Sequence, residues 1–117
     1  MRRGEVWWVD FGVPFGSEPG YRRPAVVVQT DILNKSRVGT VLLVPLTKNL
    51  GWTTAPGNVA CRARDTGLKH RSVANVSQLT VADRRRLVER AGSLPGAATV
   101  SYTHLRAHET MTGISYA

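Results

Sequence analysis

The sequence predicts a mainly β domain (α+β, with short helices) folded as a small barrel or a sandwich. Six short runs carry apolar residues at strand spacing, the first of them with two tryptophans, and turns containing Gly or Pro separate the runs. Several short strands at this spacing are typical of small barrels and sandwiches. The 117 residues favour one domain with a single core. The runs lie at 5–11, 24–30, 40–46, 57–63, 72–79 and 87–94.

The first run, EVWWVDF, combines aromatic and β-branched residues, which favour strands. Side chains alternate along a strand, so Trp7, Val9 and Phe11 are expected on one face and Val6 and Trp8 on the other. Because the two tryptophans are adjacent, we expect at least one of them to pack in the core.

The remaining runs are less uniform. PAVVVQT and TVLLVPL are almost continuously apolar, as in buried strands, whereas GNVACRA and SVANVSQL alternate more clearly. LVERAGSL is ambiguous, since its residues suit a helix but Gly92 and Pro95 cut that helix short. Helical turns are predicted at 33–37 and 81–87.

Antiparallel pairing brings one end of these strands together. If the second and third strands pair so that partner numbers add up to about 70, Arg23 lies opposite Thr47. A sum near 35 for the first and second strands leaves 12–23 as a long loop over the same end. Long loops are more often functional than short turns. The residues expected at this rim are Glu18, Arg22, Arg23, Thr47 and Lys48.

The charge balance predicts a polyanionic partner. The chain has 16 basic and 8 acidic residues, a net charge of +8, and thirteen of the basic residues are arginines. The planar fork of Arg matches phosphate better than the point charge of Lys. The excess therefore indicates nucleic acid or an acidic protein. The alternative is that the positive charge only keeps the protein soluble, and that arginine is frequent because of a coding bias.

Three observations predict a cytoplasmic protein that does not enter membranes. Cys61 is the only cysteine, so no internal disulfide can form, and a small core residue is its expected role. Glu5 and Asp10 interrupt the apolar run that follows MRR, which argues against a signal peptide. No apolar stretch approaches the ~20 residues that a membrane span requires.

The rim residues suit phosphate chemistry. Cleavage of RNA through its own 2′-hydroxyl requires a proton acceptor, stabilisation of the crowded phosphorane, and a proton for the leaving 5′ oxygen. Glu18 can accept a proton, Arg23 can clamp two phosphate oxygens, and Thr47 can donate a hydrogen bond. The alternative is a surface ion pair between Glu18 and Arg23, worth about 0–1 kcal/mol.

Other kinds of site are weakly supported. His104 and His108 are four residues apart, but HLRAHE is not the H-E-x-x-H order and no third ligand is apparent, so no metal is expected. No glycine-rich loop of the Walker or dinucleotide type occurs, and no cofactor is expected. Trp7 or Trp8 could stack on a nucleic-acid base.

Four segments, in order, resemble the MazF/PemK/Kid toxins of bacterial type II toxin–antitoxin systems, over about residues 2–96. They are RRGEVWWVDFG, GSEPGYRRPAVVVQT, VPLT and GLKHRSVANVSQL. The resemblance implies a small SH3-like barrel of the CcdB/MazF type with short helices, usually a homodimer. It also implies a metal-independent endoribonuclease that cuts single-stranded mRNA at short sequences and leaves 2′,3′-cyclic phosphate and 5′-hydroxyl ends.

The resemblance further implies roles for individual residues. Arg23 and Thr47 match the catalytic arginine and threonine of the family, and Glu18 matches its loop glutamate. Ser77 stands where many members carry Asp, so proton acceptance falls more heavily on Glu18. An acidic MazE-like antitoxin is the implied protein partner, which would account for the positive charge. The implied RNA-binding residues are Ser17, Arg22, Lys48, Asn75, Ser77 and Gln78.

The resemblance ends before the chain does. Residues 1–96 are assigned to the toxin domain, and 97–117 form an atypical tail in place of the amphipathic C-terminal helix of the family. Two alternatives remain open at this point. One is a fold-mate that poisons DNA gyrase by binding, without cleaving RNA, and the other is an inactive homologue that only binds nucleic acid or antitoxin.

Overall fold

The computed structural model describes residues 1–13, 15–17 and 20–95. The predicted mainly β class with short helices is confirmed in these ranges. No helix within them is long and apolar enough to cross a membrane. The strands and α-helices are β1 (Glu5–Asp10), β2 (Arg22–Val27), α1 (Asp31–Asn34), β3 (Thr40–Thr47), β4 (Val59–Cys61), α2 (Ala63–Thr66), β5 (Ser72–Ala74), β6 (Thr80–Asp83) and β7 (Leu87–Ser93). Short 3₁₀ helices cover Leu50–Thr54, Val76–Gln78 and Arg84–Arg86.

The strands form an antiparallel sheet that curls into a half-barrel. The strand order is β4-β5-β3-β2-β1-β7, and β6 pairs with the first half of β3. Helix α2 follows β4 at one end of this order but packs on β7 at the other end. Gly67, just after α2, lies against the backbone of Ala91, and Gly92 lies against that of Thr66. The two ends of the sheet therefore approach each other through α2.

Apolar side chains pack on both faces of the sheet. The alternation predicted for β1 is confirmed, because Val6 joins one cluster while Val9, Trp7 and Phe11 join the other. Cys61 is buried in the first cluster, as expected for a small core residue. The first cluster contains Val6, Val26, Val28, Val44, Leu46, Cys61, Ala74 and Leu94. The second contains Val9, Ala25, Val27, Val41, Leu43 and Ala82.

One predicted register is confirmed and the other is wrong. Ala25 pairs with Pro45, so the partner numbers of β2 and β3 add up to 70, as expected. Trp8 pairs with Pro24, a sum of 32, so the expected value near 35 for β1 and β2 is wrong. The same register continues beyond the two strands. Phe11 N donates a hydrogen bond to the Tyr21 carbonyl at 2.8 Å, and these two residue numbers also add up to 32.

The arginine pair consequently starts a strand and does not precede it. β2 begins at Arg22, two residues before the predicted start at Pro24. Tyr21 adopts φ 59°, a left-handed conformation that is uncommon outside glycine. It turns the loop sharply into the sheet, so the strand holds both Arg22 and Arg23.

The predicted strand at 72–79 is also wrong beyond Ala74. The chain leaves the sheet because Val76 N donates to the Asn58 side chain at 2.9 Å, and a 3₁₀ turn follows. The helical turn predicted within 81–87 is confirmed as the 3₁₀ turn Arg84–Arg86, which follows β6. The Asp83 carboxylate caps this turn by accepting a hydrogen bond from Arg85 N at 2.8 Å. The ambiguous last run is the strand β7.

A buried carboxylate ties the first residues to the sheet. Glu5 accepts hydrogen bonds from Arg2 N at 2.7 Å, Trp7 Nε1 at 3.0 Å and Arg90 Nη1 at 3.1 Å. Burial alone would raise the pKa of Glu5, but the hydrogen bonds from Trp7, Arg2 and Arg90 more than compensate and lower it. Glu5 therefore stabilises the fold at a pH above its ordinary value of 4.5, and this contribution is lost as the pH falls through the lowered pKa.

Glu5→Gln is expected to lower the free energy of unfolding at pH 7 by about 1–3 kcal/mol, the range for hydrogen bonds to charged groups. The deficit relative to wild type should shrink as the pH falls below about 4.5, because the wild-type carboxylate is then protonated too. Urea unfolding at stepped pH measures both effects. The matched Glu89→Gln change, in an exposed ion pair, should shift stability by less than about 1 kcal/mol. A Glu5→Gln deficit that is the same at every pH would contradict this assignment.

Candidate active site

The predicted catalytic pair sits where β2 begins and β3 ends. Extending the observed register of 70 by two residues beyond Ala25 and Pro45 places Arg23 opposite Thr47. Thr47 also pairs with Val73 of β5, so it is held on its other side. Both residues are half-buried. Strand pairing, which fixes the backbone, therefore positions this pair.

The rim residues divide between the two faces of the sheet. Partners in an antiparallel pair share a face, and neighbours along a strand do not. Arg23 pairs with Val9 and lies in register with Thr47, so these residues share a face. Arg22 pairs with Asp10 and belongs to the opposite face. Sequence reasoning placed the two arginines at one rim but did not separate their faces.

The Arg23 side chain has no partner among the described residues, since its guanidinium makes no hydrogen bond or ion pair with any of them. Thr47 Oγ1 accepts a hydrogen bond from Asn49 N at 3.2 Å, which leaves its hydroxyl hydrogen to donate elsewhere. A guanidinium fork and a hydroxyl donor on one face can bind the oxygens of a phosphate. Glu18, the proposed proton acceptor, lies outside the described residues.

The predicted RNA-binding residues after β5 form a hydrogen-bonded group. Asn75 is buried, and its Oδ1 accepts a hydrogen bond from Ser77 Oγ at 2.7 Å. Gln78 Nε2 donates to the Ser17 carbonyl at 3.1 Å and thereby ties the 3₁₀ turn to the loop after β1. Asn58 was not singled out from the sequence, yet its side chain accepts from Val76 N and donates to Asn75 Oδ1 at 3.4 Å.

These contacts divide the group by role. The Asn75 amide is used inside the protein, whereas Ser17 and Ser77 are exposed and Gln78 is half-buried. If β5 is extended by one residue, Asn75 pairs with Pro45, whose carbonyl accepts from Asn75 N at 2.9 Å. That position lies on the same face as Arg23 and Thr47. RNA contact by these residues stays a prediction.

A cleft of about 550 Å³ opens on the other face of the rim. Among the described residues that line it, four are Arg or Lys and none is acidic, and Arg23 is shared with the predicted catalytic pair. Arg22 lies over the Trp8 ring, 5.7 Å from its centroid, and forms an ion pair with Glu89 at 3.1 Å. The lining residues are Trp8, Arg22, Arg23, Pro24, Leu46, Lys48, Gly67, Leu68, Lys69, His70 and Ser72.

The segment after α2 supplies residues that sequence reasoning missed. Gly67 ends the helix at φ 78°, and Leu68 turns inward to pack on the first core cluster. Lys69 and His70 then project from the surface beside the cleft. The sequence did contain a signal for this segment, namely a glycine that ends a helix and is followed by consecutive basic residues. That signal did not show which strands the turn faces.

Three described carboxylates form ion pairs away from this rim. Arg85 hydrogen-bonds Asp83 and lowers the pKa of that carboxyl to about 2. Asp65 and Glu5 form ion pairs with Arg62 and Arg90. By contrast, Lys48 and Lys69 form no ion pair in the part of the chain that the structure describes. Among the described residues, Lys48 and Lys69 therefore keep their charge for a ligand, whereas Arg22 shares its charge with Glu89.

No metal site emerges from the described residues. Among them, no three His, Cys, Asp or Glu side chains are grouped so that they could hold a metal ion. The His104 and His108 pair lies outside the described residues, as does the tail assigned to 97–117.

The sequence profile of PemK-like, MazF-like toxins of type II toxin–antitoxin systems matches residues 2–100. The chain belongs to this toxin family. The family predicted from four sequence segments is thus confirmed. A curated relative, Endoribonuclease MazF2 of Mycobacterium bovis, is 39% identical over 97 residues, which cover 83% of this chain and 85% of the relative.

Solved structures of MazF toxins share the fold. MazF from Deinococcus radiodurans superposes with a TM-score of 0.76 at 22% identity, covering 97% of this chain and 96% of that chain. An endoribonuclease in complex with its cognate antitoxin, from a mycobacterial species, gives a TM-score of 0.69 at 20% identity and covers 100% of this chain and 95% of that chain. The predicted barrel of the MazF type is therefore confirmed as the fold.

Proposed function

We propose that this protein is the toxin of a type II toxin–antitoxin system and an endoribonuclease that cleaves single-stranded RNA, as the MazF-like toxin family and the name of its relative support. The observation that carries the assignment of the site is the pairing of β2 with β3. Its register places Arg23 opposite Thr47 on one face of a cationic rim.

The proposed chemistry is an internal transesterification. The 2′ oxygen attacks the adjacent phosphorus, the bond from phosphorus to the 5′ oxygen breaks, and the products carry a 2′,3′-cyclic phosphate and a 5′-hydroxyl. Glu18 accepts the 2′ proton. In the alternative scheme Glu18 orients Arg23, and solvent accepts the 2′ proton. Arg23 and Thr47 hydrogen-bond the phosphorane oxygens, where charge develops.

Arg23 also supplies the proton that the leaving 5′ oxygen gains. A guanidinium is a poor free base, since it stays protonated at neutral pH, but it can release a proton as the bond breaks. Exchange with solvent then restores the protonation of both side chains. In this scheme the Arg23 cation provides the stabilisation that a metal ion supplies in other nucleases, so cleavage needs no metal.

The proposed partners follow from the same charges. RNA occupies the rim, with Ser17, Arg22, Lys48, Ser77 and Gln78 as contacts, and an acidic antitoxin segment competes for that surface. A structure of a related toxin with its cognate antitoxin supports the second partner. The working unit is a homodimer in the cytoplasm.

Incubation of the purified protein with a mixed single-stranded RNA in excess EDTA tests the proposal. Cleavage at a short recurring sequence is expected, with cyclic phosphate on one product and 5′-hydroxyl on the other, as shown by end mapping. An intact RNA, or products with 5′-phosphate, would refute the proposed reaction. Cleavage that EDTA abolishes would refute its independence from metal.

A further inference from the structure

We propose that the cleft beside the rim binds one nucleotide next to the cleaved bond, with its base on the Trp8–Arg22 platform and its phosphate on Lys48 and Lys69. This proposal rests on the proposed function, because it extends the path of the same RNA from one face of the sheet to the other. It assigns Trp8 and Lys69 to substrate binding.

The volume of the cleft and its partly apolar lining are typical of a ligand-binding site. Its volume of about 550 Å³ lies within the range of about 300–1,000 Å³ typical of small-molecule pockets. Pro24, Leu46 and Leu68 provide apolar surface, and Ser72 adds a small polar residue. An apolar floor with polar groups at its edge fits the flat base and charged phosphate of a nucleotide.

The charges of the cleft select an anion. The described part of the lining has four basic residues and no acidic one; the basic residues are Arg22, Arg23, Lys48 and Lys69. Glu89 neutralises part of Arg22 from outside the lining, through a 3.1 Å ion pair. The two lysines have no such partner within the described ranges, so they remain available to a phosphate.

The stacked pair distinguishes a nucleotide from other anions. The Arg22 guanidinium lies 5.7 Å from the Trp8 ring centroid, and its bond to Glu89 holds it there. Aromatic rings and guanidinium planes are the surfaces on which proteins stack unpaired bases. An acidic peptide would form ion pairs with the lysines of the cleft but would have no base to stack on Trp8 and Arg22.

Arg23 connects the cleft to the predicted catalytic pair. It lines the cleft, yet the register places it on the face that carries Thr47. An RNA strand that crosses the ends of β2 and β3 can therefore contact Thr47 on one face and Lys69 on the other. The cleft is distinct from the group around Asn75, which lies on the Thr47 face.

Lys69→Gln tests the site, with Lys35→Gln as the matched control. Both lysines are exposed, but Lys35 follows α1 and does not line the cleft. The probe is a single-stranded DNA oligonucleotide, which lacks the 2′-hydroxyl, so binding is measured without cleavage. Lys69→Gln is expected to weaken binding several-fold and to reduce the log–log salt slope by about 0.7, the loss of one phosphate contact. Lys35→Gln should leave both unchanged.

Two further probes separate a nucleotide site from a general anion site. An abasic oligonucleotide of the same length should bind wild type more weakly than the full oligonucleotide, since it cannot stack. An oligoglutamate of equal charge should respond less to Lys69→Gln than the oligonucleotide does. The proposal is overturned if the two lysine variants behave alike, if the abasic probe binds equally well, or if Lys69→Gln weakens the oligoglutamate more.

The binding test and the cleavage test can be told apart by their outcomes. If wild type leaves RNA intact but Lys69→Gln still weakens binding of the oligonucleotide, the proposed reaction fails and the nucleotide site stands. If wild type cleaves RNA but the lysine variants bind alike, the nucleotide site fails and the proposed reaction stands.

Discussion

Arg23→Ala is expected to lower kcat/KM for RNA cleavage by about 10²–10³-fold, the loss seen when one preorganised donor to a transition-state oxyanion is removed. The free energy of unfolding should change little, because the Arg23 guanidinium makes no hydrogen bond or ion pair within residues 1–13, 15–17 and 20–95. Initial rates on a labelled single-stranded RNA and urea unfolding of the same samples measure the two quantities.

Arg37→Ala provides the matched control for this result. Arg37 is exposed between α1 and β3 and does not line the cleft, so its loss removes the same charge away from the rim. Arg23→Lys should retain a small part of the activity, since it keeps the charge but loses the two-pronged contact. Undiminished cleavage in Arg23→Ala would overturn the proposed mechanism. Growth arrest that persists in that variant would instead favour a toxin that binds, such as a gyrase poison.

Gly67→Ala is expected to destabilise the fold by about 3–5 kcal/mol, a large share of the ~5–15 kcal/mol that stabilises a typical domain. The left-handed φ of 78° costs an L-residue about 1–2 kcal/mol. A Cβ at Gly67 would also overlap the backbone carbonyl of Ala91, and neither strand β7 nor helix α2 can retreat without opening the half-barrel. Thermal and urea unfolding measure the loss.

Two other glycines show which part of the loss comes from the contact. Gly16 has a similar φ of 61°, but no described atom lies within 4 Å of a Cβ there, so Gly16→Ala should lose only the conformational part. Gly92→Ala should lose only the contact part, since Gly92 has no positive φ but its Cβ would lie 2.5 Å from the Thr66 carbonyl oxygen. If Gly67→Ala and Gly16→Ala were equally mild, the close approach of α2 to β7 would not contribute to stability.

Strand content and one critical register could be predicted from the sequence because they depend on local patterns. The apolar runs that became β1, β2 and β3 carry β-branched residues at strand spacing, and the alternation around Trp7 and Trp8 gave the correct faces. The match of Arg23 to Thr47 followed from one assumed hairpin register. The family could also be predicted from the sequence, since its motifs are short and contiguous.

The remaining features depend on residues far apart in the chain. The strand predicted at 72–79 ends at Ala74 because Asn58 captures the backbone of Val76, a contact that no local propensity encodes. The register of β1 against β2 differs from the expected one, and Phe11 and Tyr21 continue the same pairing beyond both strands.

The sequence by itself determined the mainly β class, the apolar faces of its first strands, the excess of positive charge and the toxin family. Only the tertiary structure decided that β2 begins at Arg22, which puts Arg22 and Arg23 on opposite faces of the sheet, and that the turn after Gly67 joins Trp8 in a cationic cleft. The physical reason is the curl of the sheet. Alternation is set by neighbouring residues, but the meeting of α2 with β7 needs two glycines, Gly67 and Gly92, to let distant backbones touch.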